Sequence, residues 1–357
     1  MALALPTPTL VVDLDVLEGN LDAMASLART RSVLLRPHAK THKSVDLARL
    51  QREAGAPGLT VATVGEAEVF AAAGFADLFI AYPLWVDPDK GRRLRALLDT
   101  VERLAIGVDS VEAGHALAAQ LGDRRRDVEV LVEVDSGHHR SGLAPQEAGV
   151  LADQLVHGGL QVGGVFTFPG HAYSPDGRPE ASRQEANALA TAADAVRAAG
   201  LDVPVVSGGS TPTAAAVAAG SMTEMRPGVY VFGDAQQWEL GATTPDRIAL
   251  TCWATVVSHA GGRIVLDAGS KVLGADRAPW ATGHGRLLDH PDARVVLLSE
   301  HHAVVAWDHT TRPPLGSHVR VVPNHVCNAV NLVDTLTVVR SGRVVATWPV
   351  SARGANT

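Results

Sequence analysis

In Val33-Leu34-Leu35-Arg36-Pro37-His38-Ala39-Lys40-Thr41-His42-Lys43, an apolar run meets a cluster of polar functional groups. The chain has only four lysines against 27 arginines, so the lysine at position 40 stands out. On an extended strand successive side chains alternate between faces, which predicts that Arg36, His38 and Lys40 share one side. Neighbouring cations lower the pKa of a lysine, and such a lysine is suited to form a Schiff base. A solvated basic strand end is the alternative for this stretch taken alone.

Length and composition are those of an ordinary globular enzyme. The 357 residues are 46% hydrophobic and 19% charged, which is enough to bury a large core. About two domains of roughly 150 residues are expected, although a barrel can exceed 200 residues as one domain. The net charge of −7 argues against nucleic acid or an anionic membrane as the main partner.

The remaining whole-chain features predict a soluble, cytoplasmic protein. Residues 1–6 lack a basic region and are too short for a signal peptide. No apolar run approaches the ~18 residues that would cross a bilayer. Cys252 and Cys327 lie far apart in the chain, which indicates free thiols in a reducing compartment rather than a disulfide framework.

A repeated strand-then-helix pattern predicts a parallel (β/α)8 TIM-type barrel. Ala-rich, helix-favouring stretches such as 65–74, 145–157 and 179–199 separate short β-rich runs. Eight such units in about 200 residues is the number that closes a barrel. A doubly wound open sheet is the alternative, but it normally carries a glycine-rich turn after its first strand. The predicted strands are 32–40, 59–64, 77–82, 103–108, 128–135, 161–167, 203–207 and 224–230.

After about residue 245 the pattern changes to β-rich runs joined by short turns. Gly261-Gly262 and Ser341-Gly342 are typical of hairpin turns, and no long helical pattern intervenes. We therefore predict a barrel over residues 13–240 followed by a mostly antiparallel β domain over 241–357. The predicted β-rich runs are 251–258, 263–267, 294–298, 303–307, 318–322 and 335–345.

Two loops at the predicted barrel mouth suit a phosphate. Active sites of parallel barrels lie at the carboxyl ends of the strands, and phosphates bind after strands seven and eight. Glycines let the backbone approach a phosphate, while hydroxyl and N–H groups donate to it. Each loop alone resembles a plain turn, but both together with Lys40 predict a pyridoxal phosphate site, with Lys40 holding the cofactor aldehyde and His38 beside it. The predicted loop residues are Ser207, Gly208, Gly209, Ser210, Thr211, Arg226, Gly228, Val229 and Tyr230.

Strands five and six are followed by further candidates. Arg140 is predicted to contact the phenolic oxygen of the cofactor or a substrate carboxylate, with a surface arginine as the alternative. His171 and Tyr173 follow strand six, where a general acid or base is needed, and either residue alone is more often structural.

The β domain contains a candidate metal site at His325 and Cys327. Residues i and i+2 of a strand point the same way, so imidazole and thiolate can hold one ion. Zinc suits this nitrogen and sulfur pair, and two protein ligands leave room for water and a substrate oxygen. A buried cysteine beside an unrelated histidine is the alternative.

Six sequence motifs together resemble the D-threonine aldolase and D-serine dehydratase family, fold type III pyridoxal phosphate enzymes with an alanine racemase-like barrel. The resemblance spans nearly the whole chain, and its lysine and metal motifs are distinctive. The motifs lie at residues 7–15, 36–43, 170–173, 226–228, 267–271 and 323–327.

This resemblance implies roles that the residues alone do not. Lys40 is expected to carry the cofactor, Arg140 to contact it and His171 to act as a base, while His325 and Cys327 hold the metal. The family also implies that residues 1–12 pair with the β domain, and that the protein is a homodimer with its active site at the interface.

Within this family the second metal ligand indicates the reaction. Aldolases place an aspartate two residues after the histidine, whereas this chain has Cys327, as the dehydratases do. Aspartate suits Mn²⁺ or Mg²⁺ and cysteine suits Zn²⁺. The predicted function is therefore a lyase of D-3-hydroxy-amino acids of the D-serine or 3-hydroxyaspartate type, with dehydration favoured over retro-aldol cleavage of D-threonine. A racemase and a non-catalytic pyridoxal phosphate-binding protein are more distant alternatives.

Overall fold

The structure, a computed structural model, describes residues 5–308 and 310–357; residues 1–4 of the predicted β domain lie outside the described residues. The strands are β1 Thr9–Asp13, β2 Leu34–Leu35, β3 Leu59–Val61, β4 Asp77–Ile80, β5 Arg103–Val108, β6 Val128–Glu133, β7 Gln161–Phe166, β8 Val205–Gly208, β9 Glu224–Met225, β10 Leu250–Ser258, β11 Ile264–Leu266, β12 Gly285–Leu287, β13 Val295–Leu298, β14 Ala303–Val305, β15 His318–Pro323, β16 Thr335–Arg340 and β17 Arg343–Pro349. The helices are α1 Leu14–Arg31, α2 Val45–Glu53, α3 Val64–Ala72, α4 Pro88–Leu98, α5 Val111–Leu121, α6 Ala148–His157, α7 Arg178–Ala198, α8 Ala235–Glu239, α9 Ser270–Leu273 and α10 Val326–Asn331. None of the helices in these described ranges is both long and apolar enough to cross a membrane.

The chain divides into two compact units. The barrel unit comprises Met24–Lys40, Ala48–Gly228 and Gly354–Thr357. The β unit comprises the residues up to Ala23, together with Thr41–Leu47 and Val229–Arg353. The domain bounds at residues 12 and 240 stay a prediction.

The barrel unit is the predicted (β/α)8 barrel. Its eight parallel strands lie in the order β2-β9-β8-β7-β6-β5-β4-β3. A parallel bridge between His38 and Thr60 joins the two ends of this sheet, and the Thr60 N–H donates to the Pro37 carbonyl at 2.9 Å. All eight predicted strands are present, each within the predicted range or within one residue of it.

The first and last barrel strands are much shorter than predicted. Each has only two residues, and each stops before a proline, Pro37 or Pro227, which has no N–H to continue the ladder. Lys40 therefore lies in a 3₁₀ turn over Ala39–Thr41 rather than on a strand. The prediction that Arg36, His38 and Lys40 share one strand face is wrong for this reason.

Arg36 instead closes the amino-terminal end of the barrel interior. Its guanidinium donates to Glu224 at 2.7 Å and to Asp77 at 2.8 Å, and Arg103 pairs with Asp77 at 2.9 Å and with Glu129 at 2.6 Å. Burial opposes the charge on Arg36, but Glu224 and Asp77 outweigh it and raise its pKa. Two residues further along these strands lies an apolar layer of Phe79, Ala105, Leu131 and Phe166.

The β unit is the predicted, mostly antiparallel sheet. Its strand order is β13-β14-β11-β10-β1-β16-β17, with β15 paired to β10 and β12. Strand β1 pairs with β10 and with β16, which confirms the amino-terminal strand implied by the family resemblance. The predicted run 335–345 is a hairpin of two strands, since Ser341 (φ 48°) and Gly342 (φ 72°) form the turn expected of this pair.

Candidate active site

In the barrel unit, four polar side chains lie around the Phe168 ring. The Lys40 Nζ lies 5.6 Å from the ring centroid and the Arg140 guanidinium carbon 5.1 Å. The rings of His138 and Tyr173 lie 5.7 and 6.1 Å away. The structure therefore brings the predicted residues Lys40, Arg140 and Tyr173 together around a residue that sequence reasoning missed. Alternate side chains of a strand point the same way, so the position of Phe168 two residues after Phe166 was the available sequence signal that it faces the barrel mouth.

His171 lies in a 3₁₀ turn over Gly170–Ala172, as part of the same end of the barrel unit. Both of its ring nitrogens are buried and make no hydrogen bond within residues 5–308 and 310–357. A Cβ at Gly137 would approach the imidazole Nε2 to 3.3 Å, so this glycine leaves room beside the ring. Buried polar groups are rarely left without partners, so the ring marks a place where a ligand or water completes the site.

His138 is a second histidine of this cluster, and the sequence analysis did not select it. Its ring stands over Gly170, where a Cβ would come within 2.5 Å. Burial, followed by the positive charge of Arg140 and the neighbouring His171, lowers the pKa of His138. The neighbouring His139, by contrast, is exposed and pairs with Asp135 at 2.5 Å. The lowered pKa of His138 favours its neutral imidazole form.

The two predicted phosphate loops are neighbours at the carboxyl ends of β8 and β9. The Arg226 N–H donates to the Gly208 carbonyl at 2.8 Å. Gly209 has a φ of +79°, and a Cβ there would lie 2.8 Å from the Met225 Cβ, so only glycine fits. The next residue, Ser210, is tied to Thr213 through its backbone N–H, at 2.9 Å.

Glu185 on α7 supports this loop, and sequence reasoning missed it. It is 2% exposed, and its Oε1 accepts the Gly209 N–H at 2.5 Å. Burial raises the pKa of Glu185 to about 7, against the opposing effect of that hydrogen bond and of Arg226. The available sequence signal was a charged residue at a position on the apolar face of the predicted amphipathic helix.

Arg226 is buried, with its guanidinium carbon 5.5 Å from the Phe79 ring and 5.2 Å from the Phe166 ring. One of its Nη atoms donates to the Thr167 carbonyl. Burial lowers the pKa of Arg226 to about 10, partly offset by Glu224 and other carboxylates, so it is protonated at neutral pH. Its Nε is buried with no partner among the described residues.

The other predicted residues of these loops have different surroundings. The His38 N–H donates to the Pro227 carbonyl at 3.1 Å, next to Gly228. Val229 and Tyr230 lie in the β unit, in a buried 3₁₀ turn over Val229–Val231. Their contact with a cofactor stays a prediction.

In the β unit, His325 and Cys327 are adjacent but not on a strand, contrary to the prediction. Strand β15 ends at Pro323, His325 is the N-cap of α10, and Cys327 lies in its first turn. Their side chains nevertheless hydrogen bond to each other, and the Cys327 thiol donates to the Thr41 hydroxyl at 3.4 Å. Burial opposes a charge on His325, but Cys327 and Asp276 raise its pKa well above the usual value. The surroundings of His325 thus attract a cation.

Asp234 holds the backbone between these two residues. It is buried, caps α8 by accepting the Gln237 N–H at 2.8 Å, and also accepts the N–H of Val326, the first residue of α10, at 3.2 Å. Among the residues that the structure describes, no group of three or more His, Cys, Asp or Glu side chains is arranged to hold a metal. The His325 and Cys327 pair itself offers an imidazole and a thiolate, which is a donor set that suits Zn²⁺.

These observations fit pyridoxal phosphate in the barrel unit. Lys40 and Arg140 bring an amine and a guanidinium to one aromatic ring, and these groups suit an aldehyde and an anionic group of one ligand. Both ring nitrogens of His171 are buried without a hydrogen-bond partner among the described residues. Glycine is required at position 209, where the backbone of the loop after β8 approaches Met225 of β9.

Comparison with known proteins assigns the family. Residues 12–236 match the alanine racemase N-terminal domain, and residues 249–339 match a serine dehydratase domain. The D-threo-3-hydroxyaspartate dehydratase of Delftia sp. (strain HT23) is 38% identical, over 91% of this chain and 92% of that protein. The chain belongs to the D-threonine aldolase and D-serine dehydratase family of pyridoxal phosphate-dependent lyases. A D-threonine aldolase of Arthrobacter sp. is 34% identical, over 98% of this chain and 93% of that protein.

Solved structures of this lyase family agree with the fold. The Delftia dehydratase covers 97% of this chain and 97% of its own, at 34% identity and a TM-score of 0.89. Two further similar structures are variants of a D-threo-3-hydroxyaspartate dehydratase: one, in a metal-free form, has a cysteine replaced by alanine, and the other has a histidine two positions earlier replaced by alanine.

Proposed function

We propose that this lyase dehydrates D-3-hydroxy-amino acids with pyridoxal phosphate and a divalent metal ion, releasing a 2-oxo acid and ammonia. The substrate is of the D-serine or D-threo-3-hydroxyaspartate type. The observation that carries the proposal is the contact between His325 and Cys327, because a thiolate is the second donor that distinguishes the dehydratase pattern from the aldolase pattern. The histidine and cysteine replaced in the variants of a D-threo-3-hydroxyaspartate dehydratase have the same spacing.

The barrel unit would hold the cofactor and the substrate. When bound, pyridoxal phosphate supplies an electron sink for the α-carbon of the substrate. Lys40 would carry the cofactor, and its Nζ would take the α-proton. The phosphate end would be held by the two loops, that is, by Ser207–Thr211, Arg226, Gly228, Val229 and Tyr230. Arg140 binds the substrate carboxylate from the face of Phe168.

His171 is the group that we assign to the departing oxygen. Its buried ring has two nitrogens available, so one can donate a proton to a leaving hydroxyl while the other accepts from water. Tyr173, on the same aromatic cluster, is the second candidate for this proton.

His325 and Cys327 would hold the metal, which we assign as Zn²⁺ rather than Mn²⁺ or Mg²⁺ because of the sulfur donor. A bound Zn²⁺ supplies Lewis acidity towards a hydroxyl oxygen. Cys327 contributes the thiolate and His325 the neutral imidazole that this ion requires.

One incubation tests the proposal. The enzyme is supplied with D-serine, D-threonine and D-threo-3-hydroxyaspartate, and 2-oxo acid with ammonia is measured against glycine with aldehyde. We expect 2-oxo acid and ammonia to dominate, and turnover to stop after stringent chelation and to return with Zn²⁺. Glycine and acetaldehyde as the main products from D-threonine would show an aldolase instead. Racemised alanine in a chiral assay would show a racemase, and no turnover of any D-amino acid a binding protein.

The assembly and compartment are part of the same proposal. We infer a homodimer, as the family resemblance implies, and light scattering from the holoenzyme should give twice the 37.3 kDa mass of one chain. Both cysteines are free thiols, which supports a reducing, cytoplasmic compartment.

A further inference from the structure

Asp276 contacts the candidate metal ligand His325 directly. Its Oδ2 forms a hydrogen bond with the imidazole Nδ1, and this bond is the main cause of the lowered pKa of Asp276. The carboxylate is half exposed, so it carries little burial cost of its own. Nothing in the sequence marked this residue, which lies 49 positions before its partner.

A second hydrogen bond holds the same two segments together. The buried Asn324 donates from its side-chain amide to the Asp276 carbonyl at 2.9 Å. The loop of Asp276 also starts at Gly274, whose φ of +74° favours glycine and where a Cβ would lie 3.1 Å from the Asn328 side chain. Asp276 is therefore held against His325 by its backbone as well as by its carboxylate.

We infer that Asp276 is a positioning residue for the metal, fixing His325 so that Nδ1 carries the proton and Nε2 is the ligand atom. A histidine with Nδ1–H donated to a carboxylate keeps one tautomer and one ring orientation, and becomes a better donor at the other nitrogen. The inference rests on the proposed metal site at His325 and Cys327, and it adds the residue that orients the imidazole.

The experiment measures Zn²⁺ affinity of the holoenzyme by competition with a chromophoric chelator, which needs no turnover. We expect Asp276→Ala to lower the affinity by about 10- to 100-fold, the usual effect of losing such a partner. Asp276→Asn retains an oxygen acceptor for Nδ1–H and should recover most of the loss. Arg277→Ala, an exposed change one residue away, is the matched control and should bind Zn²⁺ like the parent.

Two further variants separate the inference from the proposed function. Cys327→Ala and His325→Ala should lose Zn²⁺ almost entirely; if both bind it like the parent, the proposed metal site itself is wrong. If they lose Zn²⁺ while Asp276→Ala retains the parent affinity, the metal site stands and the role of Asp276 is refuted. Equal losses in Asp276→Ala and Asp276→Asn would also refute it, because an orienting acceptor would remain in the second. Cofactor absorbance and thermal unfolding, recorded for each variant, show that the fold is intact.

Discussion

The Gly209 N–H donates to the Glu185 carboxylate at 2.5 Å, so the loop after β8 rests on a buried acid. The Thr213 side chain also hydrogen bonds to Glu185, which ties both ends of the loop to α7. This carboxylate is not among the groups that would touch substrate. Because Glu185 holds the loop after β8, its protonation should affect the shape of the proposed phosphate site, and that shape should depend on pH.

Replacing Glu185 with glutamine should change how stability depends on pH. The pKa rises from 4.5 in the unfolded chain to about 7 in the folded one, so the folded state binds more protons between these values. Stability therefore falls as pH rises from 4.5 to about 7 and levels off above. Glu185→Gln should lack that decline, in urea unfolding at pH 5, 6, 7 and 8. The exposed Glu180→Gln on the same helix is the control, and a parent-like slope in Glu185→Gln would refute the argument.

Lys40→Ala should abolish the visible absorption of the bound cofactor and all turnover while the far-ultraviolet circular dichroism is unchanged. The reason is that the lysine nitrogen holds the cofactor aldehyde and no side chain can replace it from the same turn. The control is Lys271→Ala, an exposed lysine paired with Glu300. A borohydride-reducible adduct that persists in Lys40→Ala would move the assignment to Lys43 or Lys271.

Gly209→Ala should weaken cofactor binding by about tenfold or more, which is about 1.4 kcal/mol. The substitution puts a Cβ 2.8 Å from that of Met225 in a left-handed backbone, and it distorts the proposed phosphate loop. Gly200→Ala is a matched control, because Gly200 has nearly the same φ, +82°, but open space around it. Cofactor affinity is measured by equilibrium dialysis, and equal affinity in both variants would exclude a phosphate site at this loop. The corresponding change at Gly228 tests the second loop.

His171→Asn should lower kcat by roughly 10²- to 10⁴-fold, the usual contribution of a general acid or base. Tyr173→Phe should have a much smaller effect. We assign the proton to His171, because both of its ring nitrogens are buried without partners among the described residues. The full pH profile of kcat should lose one limb in the histidine variant. A reversed order of the two effects would assign the proton to Tyr173.

Arg36→Ala should destabilise the barrel by about 3–5 kcal/mol, since it removes the cation that pairs with the buried Glu224 and leaves that carboxylate only the Ser207 hydroxyl as a donor among the described residues. The exposed Arg92→Ala, which removes a surface pair with Asp89, should change the unfolding free energy very little. Both are measured by denaturant unfolding. A small effect of Arg36→Ala would mean that Glu224 is neutralised by other groups.

The sequence by itself determined the architecture and the identity of the principal site residues. Alternation of strands and helices is a property of neighbours in the chain, so eight barrel strands and the later hairpins could be predicted from local pattern. Lys40 and the glycine-bearing loops could be placed because a parallel barrel brings all its strand ends to one face. The spacing of His325 and Cys327 was visible as well, although the local geometry is a helix start and not a strand.

Only the tertiary structure decided which distant groups meet. Arg36 meets Glu224, 188 residues away, because the first barrel strand in the chain, β2, pairs with the last, β9. Arg36 therefore pairs with carboxylates at the amino-terminal end of the barrel, instead of sharing a strand face with Lys40 as its position in the sequence had suggested. Phe168, Glu185 and Asp276 likewise act on residues far from them in the chain. Such contacts depend on register and packing between elements, which no local pattern of residues encodes.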